Sequence, residues 1–402
     1  MTSDFERLRA EAEDSVARQD WPEACDRWAA VRDASPEIPL GFRAGMEAAV
    51  KAYRFDEVRR LETELETRFP KNFNIAMTLA DLSCRRADWA TAMARFDAVR
   101  AHFPRRFDAE VETTAQYRQA VLNTRGILAG NRELPLLLNG SATPGEVALP
   151  DRQGFVFVSG MPRAGTTALG HLLNISPQVA LFTELYWPYR AYVPESFAPD
   201  VLAQRLKRVP AAAPAGEQAK AEKAAFVGDK RPLFHFTLPQ TLRTLADQRV
   251  VVFHILRDCA DVVASYQKRA DDPADPWDPL RTAENCIHEL NITHRFIRDM
   301  AAGAEKEVLG PKHELVYVDY DRVFTDPEIA LSLFRTLGVD SGPAVQRRIA
   351  ASQEKSRKVM GRPRVLSPKI RAALEAGIDR EAAEAVREIT GCDVLAGLKG
   401  TV

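Results

Sequence analysis

The chain has 402 residues, with 55 Lys and Arg against 56 Asp and Glu and a formal net charge of −1, which excludes a basic nucleic-acid footprint spread over the whole molecule. That length holds about two to three domains and a sizeable core. Five scattered cysteines with no CxxC pair speak against a disulfide framework or a zinc site. With no apolar leader after Met1 and no apolar run of 18 residues, a cytoplasmic protein without a membrane span is expected.

From about Ser15 to Arg106 the chain repeats with a period of 34 residues. Trp21, Phe55 and Trp89 recur in step, as do Pro36, Pro70 and Pro104. Ala24, Val58 and Ala92, and Val31, Leu65 and Val99, keep the same period at apolar positions suited to packing between helices. The pattern resembles tetratricopeptide repeats, helix pairs that need neighbours to cover their apolar faces, although that family's internal Gly and Tyr positions are poorly kept. Asp108 to about Ala129 reads as a closing helix, and the Pro- and Gly-containing stretch Glu133 to Asp151 as a boundary. The expected organisation is helical repeats over 1–130, a linker over 131–151 and a second domain over 152–402. The repeats read either as a packing scaffold or as a surface for a protein partner, an acceptor or a second copy of the chain.

The second domain opens with Phe155-Val-Phe-Val158, of strand length and β-rich, followed by Gly160-Met-Pro-Arg-Ala-Gly-Thr-Thr167 and the helical Ala168 to Leu173. A strand feeding a glycine loop and a helix start forms an anion cradle, because backbone N–H groups and the helix dipole converge there. The spacing Gly160-x4-Gly165-Thr166-Thr167 matches a Walker-type loop except that Thr166 replaces the phosphate-binding Lys. Arg163 places a fixed positive charge in the loop instead. An anion other than a Mg-bound triphosphate is implied.

Val179 to Phe182 reads as a strand ending at Thr183-Glu184, and a carboxylate just past a strand end is a common active-site address. Arg190 to Phe226 reads as helix and loop, with an Ala/Lys-rich insert at 211–220 and no chemistry. Phe226 to Lys230 and Arg249 to Leu256 read as buried strands delivering Asp229-Lys230 and Arg257-Asp258, and Glu314 to Asp319 as another. Helices are expected over Ala260 to Arg269 and Pro327 to Leu337. This alternation argues an α/β fold with an open, mostly parallel sheet flanked by helices.

In this order, the pieces from about Phe155 to Arg364 resemble the sulfotransferases that use 3′-phosphoadenosine 5′-phosphosulfate (PAPS), nearest their bacterial and protein-tyrosine branches. Repeats before such a domain are a familiar bacterial arrangement. The resemblance implies that Pro162, Arg163, Ala164, Gly165, Thr166 and Thr167 hold the phosphosulfate end, and that Arg257 and Ser265, eight residues apart, read the 3′-phosphate. Gly228-Asp-Lys-Arg-Pro232 resembles the Asp-Lys-x-Pro segment and gives Lys230 to the leaving group. Val316 to Pro327, with Tyr317, is similar to the Tyr-Glu-Asp-Leu stretch, Asp321 departing from it. The basic segment Gln353 to Arg364, with Lys355, Arg357 and Lys358, matches a lid over the nucleotide or else a solvated linker.

The implied reaction moves a sulfuryl group from PAPS to a hydroxyl or amine, leaving adenosine 3′,5′-bisphosphate (PAP), with no metal required. Two residues compete for the base. Glu184 lies 21 residues after Arg163, the spacing of the protein-tyrosine branch; His235 lies 22 residues before Arg257, the spacing of the cytosolic branch. The segment around His235 follows the first branch, which favours Glu184, with Lys230 and Arg163 stabilising charge. The acceptor is left open among protein, carbohydrate, lipid and small molecule. A P-loop kinase and a repeat-based binding protein with a degenerate transferase domain are the alternatives; the first predicts a loop Lys and a Mg-binding Asp. A chain starting near Glu133 is expected to keep nucleotide binding.

Overall fold

The computed structural model describes residues 2–140, 152–186, 188–213, 216–303, 309–360 and 366–398. In it the 34-residue period becomes three helix pairs: α1 (Thr2–Ala17) with α2 (Trp21–Ala34), α3 (Pro39–Lys51) with α4 (Phe55–Arg68), and α5 (Phe73–Arg85) with α6 (Trp89–His102). The periodic aromatic residue opens the second helix of each pair. Asp20 and Asp88 cap two of these starts by accepting from the amides of Glu23 and Thr91. The apolar positions do what their spacing requires: Ala24, Val58 and Ala92 are each 0% exposed, and Val31, Leu65 and Val99 are buried beside them. A third register appears in the backbone. Gln19, Tyr53 and Ala87, again 34 apart, take φ of 58°, 60° and 56°, the left-handed step that stops the first helix of each pair.

The chain divides into two compact units, the first made of Met1–Thr124 with Tyr266–Asn285 and the second of Arg125–Ser265 with Cys286–Val402. The repeat unit is therefore discontinuous, unlike the continuous 1–130 segment expected. Residues 266–285 join it because their groups find partners there. Leu280 enters the repeat core, Tyr53 Oη donates to Ala270 O at 2.8 Å, Arg85 Nε donates to Asp278 Oδ2 at 2.7 Å, and Asn285 Nδ2 donates to Arg85 O at 2.8 Å. A chain cut near Glu133 would thus lose the partners of 266–285 as well as the repeats. The first unit also carries a groove of about 820 Å³ lined by Trp28, Arg43, Met77, Asp81 and Arg85, among others.

The second unit begins with the helix Ile127–Glu133, which runs from the stretch expected as repeats into the one expected as linker, and with β1 (Leu138–Asn139) inside the latter; residues 141–151 of that stretch lie outside the described residues. Asn131 ties this start to the rest by donating to Phe236 O at 2.8 Å. Five further strands, β2 (Gly154–Gly160), β3 (Val179–Thr183), β5 (Phe226–Lys230), β6 (Val250–Leu256) and β7 (His313–Asp319), form a parallel sheet in the order β3-β5-β2-β6-β7, while β4 (Ala191–Tyr192) pairs with β1. Every residue of β2, β5 and β6 is buried, the apolar runs of β2 and β6 because both faces of the sheet are covered, and β5 with Asp229 and Lys230 at its end. The expected α/β architecture with a preceding helical repeat region is the one found. Among the described residues no helix is long and apolar enough to cross a membrane.

Register brings the strand ends into one row. Thr183 and Val158 both pair with Lys230, and Gly160 pairs with Ile255. Neighbouring strands lie about 4.8 Å apart, so Glu184, Lys230, the glycine loop and Arg257 follow one another along a single edge of the sheet.

Candidate active site

At the centre of that edge the chain turns from β2 into the helix Thr166–Leu173. Arg163 and Gly165 take positive φ of 69° and 105°, and a Cβ on Gly165 would collide with the Tyr320 ring. No side chain caps the helix start, so its first N–H groups are left for a ligand. Pro162 and Ala164 are buried in the loop, Thr166 is 3% exposed, and Thr167 faces out.

One step along the row, Arg257 is held on three sides. Its side chain is 6% exposed and pairs with Asp261, its guanidinium lies 4.2 Å from the centre of the Tyr320 ring, and Nη1 approaches Arg163 O at 3.5 Å. The ion pair with Asp261 is a structural role that any arginine could fill. Arg257 Nε has another status: it is buried and has no hydrogen-bond partner, an orphaned donor that costs free energy until something accepts from it. Arg163 reaches across to the same corner and donates from Nε to Ser265 Oγ at 2.9 Å. Its guanidinium is thus turned toward the Arg257 and Ser265 corner, whereas the sequence assigned it to the sulfuryl end.

On the other side of the loop, Lys230 Nζ donates to Glu184 Oε1 at 2.7 Å. The two ends differ sharply in exposure, the Lys230 side chain at 2% and that of Glu184 at 56%. A buried ammonium needs its counter-charge, and this one has a carboxylate whose other face is open to an incoming molecule. Glu184 has φ of 53°, its amide donates to Lys230 O at 2.8 Å, and the following amide of Leu185 donates to both oxygens of Asp229. Asp229 is fully buried and also accepts from Tyr192 Oη; burial raises its pKa above the ordinary carboxyl value. It fixes the turn that presents Glu184, a positioning role hinted at only by its place beside Lys230.

His235 is 0% exposed. Its Nε2 lies 2.9 Å from Thr293 Oγ1 and its Nδ1 3.5 Å from Ser159 Oγ, and burial drives its pKa well below the ordinary imidazole value. It therefore belongs to the interior, together with His254, 5.3 Å away ring to ring. Tyr317 pairs in register with His254 and its ring faces that histidine at 6.0 Å, with burial pushing its pKa up to about 12. The tyrosine against the glycine loop is instead Tyr320, three residues on, where β7 gives way to the helix Tyr320–Thr325. The family resemblance pointed to Tyr317, and only packing distinguishes the two rings.

The basic segment after Gln353 is helical as far as it is described, inside the helix Pro343–Met360. Gln353 is buried and donates to Val323 O at 2.9 Å, Arg357 approaches Thr325 O at 3.4 Å, and Lys355 is exposed. The Lys358 side chain and residues 361–364 lie outside the described residues.

The buried histidines give a pH prediction. Burial depresses His254 to about 3 and His294 and His288 to about 4, against about 6.5 in an unfolded chain. Below pH 6.5 the unfolded state takes up protons that the folded state refuses, so their contribution is complete above pH 6.5 and falls as pH drops toward 4. Urea midpoints should decline between pH 7 and pH 5, and His254→Asn should flatten the decline. An unchanged slope would remove His254 from the account.

A parallel sheet whose central strand feeds a glycine loop and an uncapped helix start, with an arginine-serine corner on the next strand, defines an α/β domain with a glycine loop at one edge of its sheet. Residues 156–340 match the family model described as the sulfotransferase family. Similar solved structures include mouse sulfotransferase SULT7A1 complexed with PAP, at 16% identity over 62% of this chain and 89% of that one, with a TM-score of 0.34. The sulfotransferase domain of the Synechococcus PCC 7002 olefin synthase matches at 19% identity over 59% of this chain and 98% of that one, TM-score 0.32. Sulfotransferase STF9 from Mycobacterium avium matches at 14% over 69% and 87%, TM-score 0.32. No curated protein matches the chain.

Proposed function

We propose that the second unit transfers a sulfuryl group from PAPS to an acceptor hydroxyl or amine. The observation that carries the reading is the orphaned, buried Nε of Arg257 beside Ser265 and next to a helix start that no side chain caps: two anion sites, one strand apart. Bound PAPS would supply an activated sulfuryl group on a phosphate leaving group. Arg257 and Ser265 would hold the 3′-phosphate, Arg163 bracing Ser265. The loop from Pro162 to Thr167 would hold the 5′ end through its N–H groups. Lys230, on the strand between the loop and Glu184, would offset charge developing on the leaving oxygen. Glu184 would take the acceptor's proton through its open face.

The reading is tested by calorimetry with PAP, ADP and ATP, with and without EDTA, and by a PAPS-dependent transfer screen across acceptor classes read by mass spectrometry. PAP should bind best and EDTA should change nothing. Preference for ATP, or loss of PAP binding in EDTA, would sink the reading. Arg257→Ala should weaken PAP by about 1.5–3 kcal/mol, the worth of a charge-assisted hydrogen bond, with ADP much less affected.

A further inference from the structure

Just past Glu184 the chain passes a cavity of about 460 Å³ with eight lining residues, among them Asn139, Tyr186, Gln204 and three arginines, Arg190, Arg205 and Arg208. None of the eight is acidic. Arginines elsewhere in this chain find carboxylates readily, as Arg18, Arg27, Arg60, Arg85 and Arg95 do. Here Arg205 Nε donates to Leu185 O at 2.6 Å and its guanidinium lies 5.3 Å from the Tyr186 ring centre, while Arg190 Nη1 donates to Leu138 O at 3.3 Å. These bonds orient the two side chains and leave their remaining N–H groups with no carboxylate among the described residues.

Basic residues are common in the last turn of a helix, where they complement the dipole, and Pro199–Arg208 ends with Arg205, Lys207 and Arg208. That explanation covers the helix alone. It does not bring in Arg190, from the approach to β4, and it does not account for Lys207 being absent from the cavity while both arginines line it. Guanidinium groups from two elements converging without a counter-charge among the described residues are what a planar oxyanion needs.

We infer that this cavity is the acceptor's anion subsite: the molecule that presents its hydroxyl or amine to Glu184 carries a carboxylate, sulfate or phosphate of its own, seated on Arg190, Arg205 and Arg208. The inference rests on the sulfotransferase reading and adds the acceptor's charge to it. The geometry is consistent along the row. The nucleotide residues lie at β2 and β6, Glu184 at the end of β3, and Arg205 is bonded to the residue after Glu184, so the acceptor extends outward from β3, away from the nucleotide. Neutral acceptors of the same shape would leave the three guanidinium groups without an anion among the described residues.

The test uses the full chain saturated with PAP, a step that first reports whether PAP binds at all. Absence of PAP binding overturns the parent reading and this inference with it. Calorimetry then compares 4-hydroxyphenylacetate with 4-hydroxyphenylacetamide, and a short tyrosine peptide flanked by glutamates with its glutamine counterpart, so that a free acid is distinguished from an acidic peptide. The anionic member of at least one pair should bind about tenfold more tightly, as one charge-assisted bond provides. Arg190→Gln with Arg208→Gln, which spares the bonds of Arg205, should abolish most of that preference and leave the PAP Kd within about twofold. With PAP bound, the inference is overturned by equal binding within both pairs, by no binding of any probe, or by a preference that survives the double substitution.

Discussion

Glu184→Gln should lower single-turnover transfer by about 10²–10⁴, the worth of a general base, while PAP binding stays intact. The carboxamide oxygen of the variant could still accept a hydrogen bond from Lys230 Nζ, which lies 2.7 Å from Oε1 of the native carboxylate, so the contact itself survives. What disappears is the proton acceptor on the open face and the counter-charge of a buried ammonium. Lys230→Met should be at least as damaging to turnover, because it removes the cation between Glu184 and the glycine loop and releases the carboxylate from its partner. His235→Asn provides the contrast: it perturbs a buried contact with Thr293 and should lower stability more than the chemical rate of whatever fraction is folded, judged by circular dichroism. A dead His235→Asn beside a near-normal Glu184→Gln would reverse the assignment of the base.

The second large effect is expected at Gly165. With φ of 105° and ψ of 14°, an alanine there bears a backbone cost of about 1–3 kcal/mol and drives its Cβ into the Tyr320 ring. Tyr320 cannot move alone, since the Arg257 guanidinium is stacked on it. Gly165→Ala should therefore displace the arginine corner and weaken PAP by about 100-fold or more, roughly 3 kcal/mol. Gly338→Ala is the control: its φ is 72° and nothing lies within 4 Å of a Cβ built there. It should lower the Tm through the same kind of strain while PAP binding is unchanged. If both variants bind PAP normally, Gly165 is a turn glycine and no part of a ligand cradle.

Much of this was legible in the sequence because strand ends and helix periods leave local marks. The apolar runs at β2 and β6 announce their own burial, and the ends of β5 and β6 mark Lys230 and Arg257. The 34-residue register placed Ala24, Val58 and Ala92 in the core correctly. Its turn register was missed, because Gln19, Tyr53 and Ala87 are not the residue types that signal a left-handed step. Strand order was illegible too, and the site depends on it. Nothing local says that β5 lies between β3 and β2, which is why the Lys230 pairing with Glu184, 46 residues away, and the reach of Arg163 to Ser265, 102 residues away, could not be foreseen. The arginine cavity was overlooked for the same reason: Arg190, Arg205 and Arg208 are scattered surface charges until the fold gathers them.

The discontinuity of the repeat unit has a consequence for biosynthesis. A helical array whose contacts are all local can fold as it leaves the ribosome, unit by unit. Here the array's core includes Leu280, and Arg85 waits for Asp278 and Asn285. The N-terminal repeats must therefore remain open on one side while the glycine loop, β5 and β6 are being synthesised, and they close only after about residue 285 has emerged. Completion of the first unit is thereby made to follow synthesis of about half of the second, so a nascent chain arrested before residue 266 should expose its repeats to protease and one arrested well beyond residue 285 should protect them.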